Sequence, residues 1–208
     1  MLTESSHPQA DVGLVCMPFA SLFQPSIGLS LLKAGLARQG ISSTVLYESL
    51  QFVFWIGRES YSDISEVMAK TGDQVGEWLF AESLFGSEKL DPIGYIRDVL
   101  YGVASEHRGT PAYPKPIADS ALEKLLSCRR QVDEFLQHSL TRITGRRPRI
   151  VGFTSSIQQH VASLSLTQRL KALDPSIFVV FGGVNVQSVM GQETGRPVGW
   201  CEQTSALS

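Results

Sequence analysis

The stretch Arg149–Asn185, RIVGFTSSIQQHVASLSLTQRLKALDPSIFVVFGGVN, decides the fold. Ile150 to Phe153 is a short apolar run rich in β-branched and aromatic residues, the composition of a strand buried on both faces. Thr154, Ser155 and Ser156 follow, hydroxyls of the kind that cap helix N-termini. Val161, Leu164, Leu166, Leu170 and Leu173 then recur near the 3.6-residue period of a helix that ends around Asp174-Pro175. Ile177 to Phe181 is a second continuous apolar run, closed by Gly182-Gly183, where the backbone can turn sharply or press against a neighbour. Strand, helix and strand at this spacing form a parallel pair with a right-handed connection. Ligands of open parallel sheets sit beyond the carboxyl ends of the strands, which here carry Thr154-Ser155-Ser156 and Gly182-Gly183-Val184-Asn185.

A second unit of the same kind opens the chain. Asp11 to Met17, DVGLVCM, reads as a buried strand, and Pro18 to Gly28 as a loop with Ser21 and Ser26 as exposed hydroxyl donors. The helix that follows places Leu29, Leu32 and Leu36, with Ile27, Leu31 and Ala34 alongside, on a broad apolar face and stops at Gly40; Ile41 to Tyr47 is the next strand. Two such units predict an α/β sheet. Between them lie about a hundred residues, far more than a crossover requires. They read as a helical insertion over about 48–147, with helices at Gly76–Gly86, Pro92–Tyr101 and Asp119–Leu140 and a loop from Gly102 to Pro116. The α/β domain is expected over 1–187. From Ser188 to Ser208 no period is sustained, so an irregular tail is expected, with the last strand left as an exposed edge.

Composition excludes several classes. The chain has 208 residues, 43% hydrophobic and 18% charged, and a net charge of −2, with no electrostatic footprint for nucleic acid or an anionic membrane. Its three cysteines, Cys16, Cys128 and Cys201, are too scattered for a disulfide framework or a C-x-x-C knuckle. No apolar run reaches the roughly 18 residues of a membrane span, and the polar start MLTESSHPQAD is unlike a signal peptide. A cytoplasmic location is expected.

Four phrases, in order, carry a resemblance: MPFASLFQPSIGLSLLKAGLARQG, GEWLFAESLFG, VGFTSSIQQHVASLSLTQRLK and IFVVFGGVN. Together, over roughly Val12 to Gly191, the chain resembles the amino-terminal cobalamin-binding domain of the radical-SAM C-methyltransferases that mature ribosomally made peptides (RiPPs). The resemblance implies a flavodoxin-like sheet in the order 2-1-3-4 whose carboxyl-end loops hold a corrin. It also implies a radical-SAM barrel, with its iron–sulfur cluster and S-adenosylmethionine, that takes a methyl group from the corrin to an unactivated carbon of a peptide. The C-x-x-x-C-x-x-C triplet of such a barrel does not occur in these residues. The chain therefore reads as a truncated form that binds the methyl carrier and depends on a radical-SAM subunit or domain in trans, which alone would meet the peptide substrate. The D-x-H-x-x-G signature of a lower histidine ligand is also missing: His7, His107, His138 and His160 all lack its flanking Asp and Gly.

The candidate cofactor-binding residues are Ser21, Pro25, Ser26, Gly28, Thr154, Ser155, Ser156, Gln159, Gly182, Gly183 and Asn185, with no catalytic or metal-ligating residue. Hydroxyls of Ser26 and Thr154–Ser156 can donate to a corrin amide or to the nucleotide tail, and Gly182-Gly183 lets a flat group lie against backbone. The competing readings are a helix cap, a helix start at Pro25 and a tight turn after a buried strand. His160 reads as packed or solvated, Cys16 as buried and inert, and Trp78, Phe80 and Phe85 as core between insertion and sheet. No G-x-G-x-x-G or Walker pattern follows either strand. Two other readings remain open: a module for a flavin or nucleotide on the same fold, and a gene product with no independent activity.

Overall fold

The computed structural model describes residues 10–67, 73–102, 117–186 and 205–206. β1 (Val12–Cys16), β2 (Ser43–Tyr47), β3 (Ile150–Thr154) and β4 (Phe178–Gly182) are parallel and lie in the order β2-β1-β3-β4. Cys16 pairs with Tyr47 on one side and Thr154 on the other, and Thr154 pairs with Gly182, so the carboxyl ends of all four strands are level. This is the α/β sheet that the two strand–helix–strand units predict, in the flavodoxin-like order that the resemblance implies. A fifth strand, β5 (Ser205–Ala206), runs parallel to Val180–Phe181 of β4, where the sequence signalled only an irregular tail. Two residues are too short to show a strand period. Residues 188–204 and 207–208 of that tail lie outside the described residues, as does most of the Gly102–Pro116 loop.

One face of the sheet carries α8 (His160–Leu173) and the described helices of the insertion. Val151, Phe153, Val179 and Phe181 point to it and are at most 3% exposed, packed under α8. The insertion supplies α2 (Glu48–Ile56), α3 (Arg58–Ser62), α4 (Val75–Phe85), α5 (Pro92–Gly94), α6 (Asp119–Arg130) and α7 (Val132–Thr144), with single π-helical segments at Asp63–Val67 and Tyr95–Leu100. It shares one hydrophobic core with the sheet: Phe52 lies 4.6 Å from Phe135 and 5.5 Å from Phe80 between ring centroids, and Phe19 of the loop after β1 joins them.

Trp78 and Phe80 are buried as expected, whereas Phe85, at the end of α4, is exposed. Trp78 stacks on Tyr95 at 4.8 Å and under the Arg129 guanidinium at 4.3 Å. The single helix expected over Asp119–Leu140 is two, broken at Gln131. Glu48, fully buried at the start of α2, accepts from Ser139 Oγ at 2.8 Å and Arg142 Nε at 3.2 Å and pins α7 to the sheet edge.

The other face carries α1 (Ile27–Arg38) alone among the described helices, packed on Val12, Leu14 and Cys16 through Leu29. Of the broad apolar face expected for this helix, only Leu29 is buried and Leu36 half-buried. The rest points away from β1 and β2 and is exposed. Gly40 has the left-handed backbone (φ 72°) of a helix stop.

Candidate functional site

The topology fixes where a ligand can enter. From β1 the chain leaves toward β2 on one face, and from β3 it leaves toward β4 on the other, so the β1–α1 and β3–α8 loops diverge between two adjacent strands. That divergence is the switch point at which open α/β sheets bind ligands. A cleft of about 790 Å³ lies there. Its floor is Cys16, Tyr47 and Thr154, the last residues of β1, β2 and β3. One wall is Phe19, Ala20, Ser21, Gln24, Pro25, Ser26 and Ile27; the other is Ser156, Ile157, Gln158 and Gln159, with Ser65 from the insertion.

Six of the sequence-predicted residues therefore meet at one site: Ser21, Pro25, Ser26, Thr154, Ser156 and Gln159. Their roles differ. Ser26 Oγ accepts from Leu29 N at 3.3 Å and caps α1, and Ser21 Oγ accepts from Phe23 N at 3.3 Å. A hydroxyl that accepts in this way keeps its own proton to donate. Thr154 Oγ1 has no partner among the described residues. Gln159 is a brace: Oε1 accepts from Ser156 N and Oγ at 3.1 and 2.6 Å, and Nε2 donates to Met17 O at 2.7 Å, tying one wall to the other.

The remaining five, Gly28, Ser155, Gly182, Gly183 and Asn185, do not line the cleft. Ser155 is fully buried; its amide donates to Gly182 O at 2.7 Å and its Oγ lies 3.0 Å from His160 Nδ1. Asn185 Nδ2 donates to Ser155 Oγ at 3.2 Å and to Ser156 O. Gly183 has φ 109°, and a Cβ there would overlap Ser155 O, so glycine is required by the close approach of two loops. Together these residues clamp the β3–α8 loop to the end of β4. Gly28 sits in the first turn of α1 with its hydrogen side toward open space.

Sequence reasoning read Cys16 as buried and inert, did not name Tyr47 or Gln24, and read Gln158 as a surface glutamine whose amide could reach a ligand, whereas its side chain is buried. The first two carry a readable signal: each ends a strand in the same register as Thr154 and points to the same face. Gln158 adopts a left-handed backbone (φ 63°) that no local pattern announces, and its Oε1 accepts from Gly76 N of α4 at 2.6 Å.

Among the described residues, no Asp, Glu, Lys, Arg or His lines the cleft. The N-terminus of α8, an anion-binding position in many α/β folds, is already occupied by the Glu77 carboxylate of α4, which accepts from His160 N at 3.1 Å and Val161 N at 2.7 Å. Burial raises the Glu77 carboxyl above its ordinary range against the opposing pull of those amides, raises the Cys16 thiol and lowers His160. Among the described residues no three His, Cys, Asp or Glu side chains are grouped to hold a metal ion, and no helix is long and apolar enough to cross a membrane. Compared with known proteins, the chain matches no family model, no curated protein and no solved structure.

Proposed function

We propose that this chain is a cobalamin-binding module that holds the methyl carrier of a RiPP-modifying radical-SAM C-methyltransferase. One observation carries the reading: a cleft at the topological switch point is lined by hydroxyls and amides and by no charged side chain among the described residues. A flavin mononucleotide or a free nucleotide presents a phosphate dianion, which calls for Arg, Lys or an open helix N-terminus. Among the described residues the lining holds no Arg or Lys and the α8 N-terminus is taken by Glu77, which leaves the α1 N-terminus, where Ser26 Oγ already accepts from Leu29 N, as the backbone anion position beside the cleft. A corrin is fringed with neutral side-chain amides. Those fit the O–H donors of Ser21, Ser26 and Thr154 and the exposed Gln24 amide.

The exposed side chains of Phe23 and Ile157 beside this cleft supply apolar surface for a flat ring. The cleft volume takes an edge or the tail of so large a ligand, with the rest of the ring above the rim. Cobalt is held by the corrin nitrogens, so no grouped protein ligands are required, and His160 is engaged with Ser155.

Cobalamin, when bound, supplies methyl-carrier chemistry. The residues of this chain hold its periphery: Thr154 from the floor, Ser21 and Ser26 from one wall, and Ser156 from the other, with Gln159 keeping the walls at fixed separation. Transfer to a peptide carbon belongs to a radical-SAM domain or subunit. Titration of the purified chain with hydroxocobalamin, followed by gel filtration, tests the proposal. Corrin absorbance that co-elutes with protein supports it; retention of flavin mononucleotide while corrin elutes free overturns it.

A further inference from the structure

Among the residues lining the cleft, Gln158 alone has a left-handed backbone, with φ 63°. It is the third residue of a turn that Gln159 N closes by donating to Ser156 O at 3.0 Å. A third position with positive φ is ordinarily held by glycine or asparagine, because other side chains there cost free energy. Glutamine has neither advantage. The turn sends the Ile157 side chain outward, 64% exposed, and the Gln158 side chain inward, where the residue is 2% exposed. Strained backbone of this kind collects at ligand sites, where it positions a side chain.

The inward side chain is fixed from behind. Its Oε1 accepts from Gly76 N at 2.6 Å, one of the amides that the first turn of α4 leaves open, and Gln74 at the start of that helix supplies no side-chain cap. A backbone N–H can only donate, so the oxygen end of the Gln158 amide faces α4 and the NH2 end faces away from it. A Cβ at Gly76 would stand 2.6 Å from Oε1 and 2.8 Å from the Gln158 Cβ, so glycine is what lets helix and side chain meet. Among the described residues Nε2 of Gln158 has no hydrogen-bond partner, whereas Nε2 of Gln159 donates to Met17 O at 2.7 Å. The fully buried side-chain atoms without a partner among the described residues are Ser49 Oγ and Arg146 Nε. Nε2 of Gln158 therefore shows surface, and the opening that this residue borders is the cleft.

We propose that Gln158 is a specificity-determining residue of the cleft, whose Nε2 donates to a carbonyl oxygen of the bound ligand. The inference rests on the cobalamin reading and adds the acceptor, a carboxamide oxygen at the corrin periphery. Capping α4 needs only an oxygen, and a carboxylate would supply one with the sign of charge that a helix N-terminus favours. The amide caps as well and adds two N–H donors held at one place. The hydroxyls of Ser21, Ser26 and Thr154 can donate or accept, so they tolerate either polarity in a ligand. The anchored Gln158 amide can only donate into the cleft. A ligand that displaces water from it without offering an acceptor leaves a donor unpaired, and that loss exceeds what a matched hydrogen bond returns.

Gln158→Glu keeps an oxygen for Gly76 N and turns the NH2 end into an acceptor of the same shape. It is expected to keep the circular dichroism of the wild type and to bind hydroxocobalamin roughly tenfold or more weakly, the scale of one polar group left unpaired. The wild type supplies a second measurement that does not depend on the variant folding. In proton–nitrogen correlation spectra the side-chain NH2 protons of Gln158 are expected to exchange with water rapidly in the free protein and slowly once hydroxocobalamin is bound. Those of Gln159, already donated to Met17 O, are expected to exchange at the same rate in both states. A wild type that retains no corrin overturns this inference together with the cobalamin reading. Corrin retained while the Gln158 protons stay in rapid exchange, or a folded Gln158→Glu protein that binds it as tightly as the wild type, overturns this inference alone.

Discussion

Glu77 of the insertion caps a helix that it does not belong to: its carboxylate accepts the amide of Val161 at 2.7 Å, 84 residues away in the chain. With the His160 amide at 3.1 Å this satisfies two of the donors that every helix N-terminus leaves unpaired. The insertion thereby fixes the helix that ends one wall of the cleft.

Replacing Glu77 with Ala is expected to lower stability by about 1–2 kcal/mol, the range for loss of a helix cap. Glu77→Gln keeps an acceptor and is expected to lie much closer to the wild type at neutral pH. Because burial raises the Glu77 pKa in the folded state, its protonated form is the one that folding favours. The stability of the wild type relative to Glu77→Gln should therefore rise as the pH falls through that raised pKa toward the ordinary carboxylate range, and fall again as the pH returns to neutral. Urea unfolding of both proteins from pH 7.5 to pH 4.5 measures the difference; a relative stability that falls on acidification contradicts the assignment.

Gly76 precedes Glu77 and touches the site through its backbone. A Cβ at this position would stand 2.6 Å from Gln158 Oε1 and 2.7 Å from Phe19 Cδ2, both cleft residues. Gly76→Ala is expected to destabilise the fold by roughly 1–3 kcal/mol through overpacking, and to weaken ligand retention because both neighbours must move. Thermal melting and hydroxocobalamin titration of the one variant check the two effects together.

The fold was legible because it rests on continuous apolar runs. VGLVC, IVGFT and FVVFG are readable as buried strands without knowledge of their neighbours, and their spacing implies parallel pairing. The site was half legible. Ser21, Ser26 and Thr154 could be named because strand ends and the loops after them are where this topology binds. Ser155, Gly183 and Asn185 share the same address, yet contacts between loops, invisible to local pattern, make them a clamp. The α2 helix, ESLQFVFWI, fell within the stretch read as helical but was not delimited, because it follows β2 directly and is so apolar that no polar face marks its period.

Two ion pairs of similar length should behave differently under substitution. Glu48 is fully buried against Ser139 and Arg142, so Glu48→Gln is expected to lose about 1–3 kcal/mol, the range for charged hydrogen bonds and unsatisfied buried partners. Glu59 pairs with Lys124 at 2.8 Å in full solvent, where water competes and side-chain entropy opposes the contact. Glu59→Gln is expected to leave the denaturation midpoint unchanged. Equal shifts for the two variants would mean that Glu48 reaches water.

The two hydroxyls assigned to ligand binding can be separated by what else each one does. Thr154 Oγ1 has no partner among the described residues, so Thr154→Val, which keeps the side-chain shape, is expected to leave the melting temperature and circular dichroism as they are. It should weaken retention of hydroxocobalamin by the loss of one hydrogen bond, about 0.5–1.5 kcal/mol or several-fold in affinity. Ser26 Oγ holds the Leu29 amide at the start of α1, so Ser26→Ala is expected to lose about 1 kcal/mol of stability whether or not ligand is present. A double-mutant cycle on binding, with stability measured on the same four proteins, isolates the binding part. If Thr154→Val retains corrin as tightly as the wild type, the floor of the cleft does not touch the ligand.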